Sequence, residues 1–322
     1  MKLYSISNSV ELAENIKKHL DIPIGRVQVE TFADGEINIV FPESVRNESL
    51  IIAAQIQMPY SNLMELIFMC DAAKRSDARD ITVIIPYLPH SRQERRGGKR
   101  SPISARVLAD MLQNAGVDHI ISMDLHIGAI EGFYKIPFDK LRPTDIFVEE
   151  IKKLNLENMI LCSPDFGFMK KMETYKDRLG VEMCVINKKR IKANQVESME
   201  LIGGDVTNKN VIMIDDIIDT AGTLIKGTNL LIEKGAKSVI VFATHGVLSG
   251  DYQPFSSRGN AIHAIGVSKI KNVYISNTML LDSKFRLDGT REEQLGMMSN
   301  EKIKIVDVSG EFAKAITKLS TR

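Results

Sequence analysis

Short runs of aliphatic and β-branched residues alternate with amphipathic stretches along this whole chain, and that rhythm leaves few folds open. In the first half, residues 2–7 (KLYSIS), 50–56 (LIIAAQI), 81–88 (ITVIIPYL) and 119–125 (HIISMDL) read as strands. Residues 10–20, 62–76 and 101–116 carry apolar positions at helical spacing between them. Ser7 or Ser9 is the expected cap of the first helix. Ser101 is expected to cap the third, with Pro102 in its first turn and Gly116 as its stop. Residues 27–32 and 37–41 suggest a strand pair around the turn ADGE. The second half repeats the pattern, with strands at 159–164, 181–186, 211–214, 239–246, 272–277 and 302–308. Its helices fall at 146–154, 168–179, 223–235 and 311–319. Such alternation makes βαβ units and parallel sheets covered on both faces, an α/β fold.

With 322 residues, 44% of them hydrophobic, the chain can fill two cores of this kind. The polar, proline-containing stretch at 140–145 is the softest boundary. It gives a first domain over residues 1–144 and a second over 145–310. Basic and acidic residues nearly balance, 42 against 41, which argues against a strongly cationic nucleic-acid binder. No apolar run reaches the roughly 20 residues of a membrane span, and residues 1–20 turn polar at once, without a signal-peptide core. Cys70, Cys162 and Cys184 are far apart in apolar surroundings, as expected for buried thiols in a reducing cytoplasm. No paired cysteine or histidine spacing suggests zinc.

The chemistry concentrates in residues 211–224, VIMIDDIIDTAGTL. A buried strand runs into Asp215 and Asp216; Asp219 follows, and then the small residues Thr220, Ala221, Gly222 and Thr223 open a helix. In open α/β sheets ligands bind beyond the carboxyl ends of strands. Helix amino termini with small residues accept phosphate, and the threonine hydroxyls add donors. The carboxylates instead accept hydrogen bonds from sugar hydroxyls, so a phosphorylated sugar satisfies both halves. An acidic βα loop with a threonine cap is the plain alternative. A P-loop does not fit, because Thr228 stands where its lysine belongs.

This run resembles the phosphoribosyl-diphosphate binding loop of phosphoribosyltransferases and ribose-phosphate diphosphokinases. Other segments resemble the diphosphokinases alone, in the same order: residues 31–47, 60–76, 84–96, 101–112, 123–134, 163–167, 186–194, 202–206 and 243–250. The chain is therefore similar to the ribose-phosphate diphosphokinase family over nearly its whole length. The resemblance implies two phosphoribosyltransferase-like domains related by pseudo-symmetry, with the helix at 311–319 returning to the first domain. It also implies diphosphoryl transfer from ATP to ribose 5-phosphate, with Mg²⁺, in a homo-oligomer of dimers built into a hexamer.

Residue by residue, the resemblance makes Lys188 and Arg190 the catalytic basic pair on a flap spanning 188–200. It assigns Phe32, Asp34 and Glu36 to the adenine of a neighbouring subunit's ATP, and Arg92, Gln93 and His126 to ATP. His126 and Asp165 become the metal-side residues; Asp215, Asp216, Asp219, Thr220, Ala221, Gly222 and Thr223 hold ribose 5-phosphate. Without the resemblance, 188–190 is a solvated charge run, His126 a locally satisfied strand-end histidine, and 91–100 a basic loop.

Two departures carry expectations. Phe168 stands where the family has a second glycine, so the backbone beside Asp165 is expected to lose close approach. The stretch 251–272 is longer than in the family and is expected to change an assembly or regulatory surface. A non-catalytic, nucleotide-binding paralogue and a phosphoribosyltransferase acting on a base are the competing functions.

Overall fold

The computed structural model describes residues 1–57, 60–189, 198–249, 261–280 and 301–319, with side chains for all of these except 188, 189 and 198. The chain divides into two compact units, one of Met1–Arg142 with Asp307–Arg322, the other of Pro143–Val306.

The first unit is built on a five-stranded parallel sheet: β1 (Lys2–Ser5), β4 (Ser49–Ala53), β5 (Asp80–Ile84), β6 (His119–Met123) and β7 (Phe138–Leu141), in that spatial order. The central strands β4, β5 and β6 are buried almost throughout without alternation, as a sheet covered on both faces requires. Tyr4, Leu50, Ile52, Val83 and Ile120 pack with Leu66 and Met69 of α2 (Ser61–Arg75) and Leu108 and Leu112 of α3 (Ser104–Asn114). A separate hairpin, β2 (Gln28–Thr31) with β3 (Ile37–Val40), stands apart from this sheet, and every residue of β2 is exposed.

Two local expectations are corrected here. Ser9 does sit at the N-cap of α1 (Val10–Lys17), but makes no side-chain cap bond. Its hydroxyl instead accepts from the Gln55 amide at 2.7 Å. Helix α3 starts at Ser104, not 101, because Ser101 closes a tight turn with Gly98. Strand β7, for which no element was expected, overlaps the start of the polar stretch at 140–145 and lies at the sheet edge with Lys140 exposed.

The second unit holds a seven-stranded sheet in the order β10 (Ser198–Gly203), β9 (Met183–Lys189), β8 (Met159–Ser163), β11 (Asn210–Ile218), β12 (Ser238–Gly246), β13 (Asn272–Ser276), β14 (Ile303–Val306). All neighbours are parallel except the β9–β10 edge ribbon, which the sequence reading missed. One face packs on α6 (Gly222–Glu233) and α7 (Ala261–Val267). The other packs on α4 (Thr144–Lys153) and α5 (Met169–Leu179). From β8 the chain moves first to β9 and then returns to place β11 on the other side, so the strand order reverses between β8 and β11. Such a reversal splays the connections apart and opens a crevice at the strands' carboxyl ends.

The chain's last helix, α8 (Ser309–Leu319), belongs to the first unit and packs against α1, burying Phe312 and Ile316. Among the described residues no helix is long and apolar enough to cross a membrane. Of the longer stretch at 251–272, residues 251–260 lie outside the described residues.

Candidate active site

The reversal between β8 and β11 sets the stage in the second unit. Strand β8 pairs with β11 only as far as Cys162 and Met213, whereas β12 pairs with it on to Ile218. The strand was expected to end at Ile214. It continues through both acids, which are held on one side and open on the side where β8 has stopped. Side chains alternate along a strand, so Asp215 follows the face of Val211 and Met213 toward α6. Asp216 follows Ile212 and Ile214 toward α5. The two carboxylates therefore straddle the strand end.

Asp216 is buried and Asp215 half-buried. The Asp215 carboxyl is held well above the usual carboxylate range, first by burial and then by the charge of Asp216, with Asp165 adding to it. The Asp216 amide, 2.9 Å from Asp215 Oδ1, works in the opposite direction. Hydroxyls or a cation arriving at these oxygens would offset the burial and the like charge.

The loop after β11 is shaped for an anion. Ala221 has φ 59°, a left-handed conformation unusual for a residue with a Cβ, and it forms the N-cap of α6 without a side-chain bond. The first turn of α6 carries no acidic residue. Gly222 and Thr223 are exposed there, with Thr220 beside them. The loop is braced from β12's extension, where Leu248 and Ser249 donate to the carbonyls of Ile218 and Asp219 at 2.9 and 3.0 Å. Thr228, which argued against a P-loop, is fully buried in α6.

Across the reversal, β8 leads into Asp165. Its Oδ1 accepts from the Phe168 amide at 3.2 Å, capping a single 3-10 turn, Phe166–Phe168. Phe168 fits the backbone of this turn without strain. Its backbone is right-handed helical, φ −88°, so no glycine is needed, and its ring is buried among Phe147, Leu161 and Met172. What the loop uses at this position is the amide, which any residue but proline supplies.

Lys171 was overlooked by sequence reasoning. Its Nζ lies 3.7 Å from Asp216 Oδ2 and 5.2 Å from the centre of the Phe168 ring. The signal was there: Phe168 and Lys171 are three apart at the start of a helix, the spacing at which side chains meet.

The remaining candidates fall as follows. Lys188 lies on β9, its backbone paired with Met199 of β10, and Arg190 is outside the described residues. In the first unit, Phe32, Asp34 and Glu36 form the tip of the β2–β3 hairpin. Gly35 supplies the positive φ of 92°, Asp34 Oδ1 accepts from the Glu36 amide, and Phe32 is 52% exposed. Arg92 and Gln93 follow β5 and are exposed; Gln93 Oε1 accepts from Ser104 Oγ at 2.6 Å. His126 is exposed just beyond β6, after Asp124 turns the chain with φ 47°.

Comparison with known proteins agrees along the chain. The sequence model described as the N-terminal domain of ribose phosphate pyrophosphokinase matches residues 1–116, and that of a phosphoribosyl synthetase-associated domain matches 189–322. A ribose-phosphate pyrophosphokinase from Wolinella succinogenes is 39% identical over 319 residues, covering 99% of this chain and 95% of its own. One from Porphyromonas gingivalis is 38% identical over 318 residues, covering 98% of this chain and 94% of its own. The crystal structure of phosphoribosylpyrophosphate synthetase from Mycobacterium smegmatis superposes with a TM-score of 0.83 at 33% identity, covering 99% of this chain and 98% of that one. Agreement of this kind, end to end in both sequence and backbone, exceeds what a shared fold alone produces: the chain belongs to the ribose-phosphate pyrophosphokinase family.

Proposed function

We propose that the protein makes phosphoribosyl diphosphate from ATP and ribose 5-phosphate. The observation that carries this reading is the pairing of two straddling carboxylates with a helix amino terminus that offers amides, at the sheet's order reversal. Asp215 and Asp216 would accept from the ribose hydroxyls, while the amides and hydroxyls of Thr220–Thr223 would hold the 5-phosphate. The anomeric oxygen attacks the β-phosphorus of ATP, the bond from that phosphorus to the α-phosphate oxygen breaks, AMP leaves, and the hydroxyl proton is lost. Little covalent work falls to the protein; it must position the two substrates and stabilise charge on the transferred group.

Lys188 and Arg190 would supply cationic donors to that group. Phe32 would stack on adenine from a neighbouring copy, with Asp34 and Glu36 accepting from its N–H groups or ribose hydroxyls. Its exposure at a hairpin tip supports this use. Arg92, Gln93 and His126 would meet the triphosphate.

The donor set suits Mg²⁺ arriving with ATP. Such an ion keeps several waters and needs only one or two carboxylates besides phosphate oxygens. Among the described residues no group of three or more His, Cys, Asp or Glu side chains is placed to hold a metal by itself. Asp165 and His126 are the residues we assign to it; the ion would neutralise charge along the triphosphate. The three buried free thiols support a cytoplasmic setting.

The test is phosphorus NMR of the purified protein with Mg²⁺, ATP and ribose 5-phosphate. AMP appearing with a new sugar-diphosphate signal is the expected result. Binding of ATP without turnover would make the protein a regulatory paralogue instead.

A further inference from the structure

Resting on that reading, we infer that Lys171 is a positioning residue for the ribose site: it holds the Asp216 carboxylate in place by charge.

The distances carry the argument. Lys171 Nζ stands 3.7 Å from Asp216 Oδ2, beyond the ~3.2 Å reach of a good N–H···O bond. At that distance the contact with Oδ2 is an ion pair. Burial makes the attraction matter, since the Asp216 side chain is 10% exposed and that of Lys171 27% exposed. Asp216 also lies beside the like charge of Asp215, with Asp165 close enough to act on the same group. A cation on the α5 side of the strand offsets that like charge and biases Asp216 toward one orientation.

Lys171 is itself held. It rises from the first turn of α5, and its ammonium lies over the face of Phe168, whose ring is anchored in the core. The amide of the same phenylalanine caps Asp165. One residue therefore links both acidic arms of the site, its backbone to Asp165 and its ring, through Lys171, to Asp216. Phe168 acts here as a platform.

The test is steady-state kinetics of the full-length protein, varying each substrate in turn. Lys171→Met keeps the stem that packs on Phe168 and removes the charge. It is expected to raise the KM for ribose 5-phosphate about ten-fold. The KM for ATP should stay within about two-fold, and Lys171→Arg should recover most of the loss. Lys171→Gln, measured in parallel in case methionine loosens α5, should behave like methionine. An unchanged KM for ribose 5-phosphate overturns the inference, as does a parallel rise for both substrates or an arginine variant as defective as methionine. A parent protein that makes no AMP and binds no ribose 5-phosphate overturns the reading of the site and the inference with it. Parent turnover with an unaffected methionine variant overturns the inference alone.

Discussion

Asp215 is costly to the unliganded fold and valuable to the ligand, and the two effects can be separated. Its carboxyl is raised above the ordinary 3.8 by burial and by neighbouring carboxylates. The stability that goes with the protonated form is therefore present at low pH and lost as pH rises through the raised value. Asp215→Asn carries no such loss. Without substrate, its melting temperature should gain on the parent's as pH is taken from about 4 to about 7. The double variant Asp215→Asn with Asp216→Asn should weaken ribose 5-phosphate far more than ATP; equal losses for the two substrates would assign the acids to another task. Ala221 offers a third check on the same loop. At φ 59° it tolerates its methyl group, whereas a β-branched side chain there meets the following carbonyl. Ala221→Val should cost about 1–2 kcal/mol in chemical denaturation and should weaken ribose 5-phosphate as well.

Elements explain both what the sequence made legible and what it hid. The central strands were visible because both their faces are buried, so their apolar runs are unbroken. Two of the four edge strands of the large sheets, β7 and β10, were not: they carry charged residues such as Asp139, Lys140 and Glu200, which break the apolar run. Hydroxyl caps were misjudged at Ser9 and Ser101 because each serine had a competing backbone partner, remote in the chain at Gln55 and local at Gly98. The phosphate-type loop was legible as a contiguous run of residues. Lys171 was not, since it matters only through the packing of α5 on β11. The same logic gives two tests. Gly25 follows a bridge to β1, and a methyl group there would lie 2.1 Å from the buried ring of Tyr4. Gly25→Ala should therefore destabilise by about 1–3 kcal/mol through overpacking, read from the denaturation midpoint. Cys70, on the inner face of α2, has its thiol pushed up to about 12 by burial. Together with the two buried thiols of β8 and β9, it should stay silent to a thiol reagent until the protein is unfolded.

At the scale of the molecule, the two units differ in how their chain is assembled. The second is one continuous segment, Pro143–Val306, whereas the first draws on both ends of the sequence. Phe312 on α8 is fully buried, so Phe312→Ala should cost about 3–5 kcal/mol. Hydrogen exchange should locate that damage in the first unit, with protection lost in β1, α1 and β7 and retained in β8 through β13. Loss spread evenly over all strands would show that the return helix stabilises more than the unit it joins.

That return has a consequence for biosynthesis. The first unit leaves the ribosome early but lacks α8, which is made only after the second unit. At roughly 5–20 residues per second, its sheet and the apolar face of α1 wait on the order of ten to thirty seconds for their cover. The second unit has all its strands before α8 is made. A premature stop or a nick ahead of residue 307 would then spare the later-made half and strand the earlier-made one, leaving an α1 surface that only holdase chaperones or aggregation can occupy.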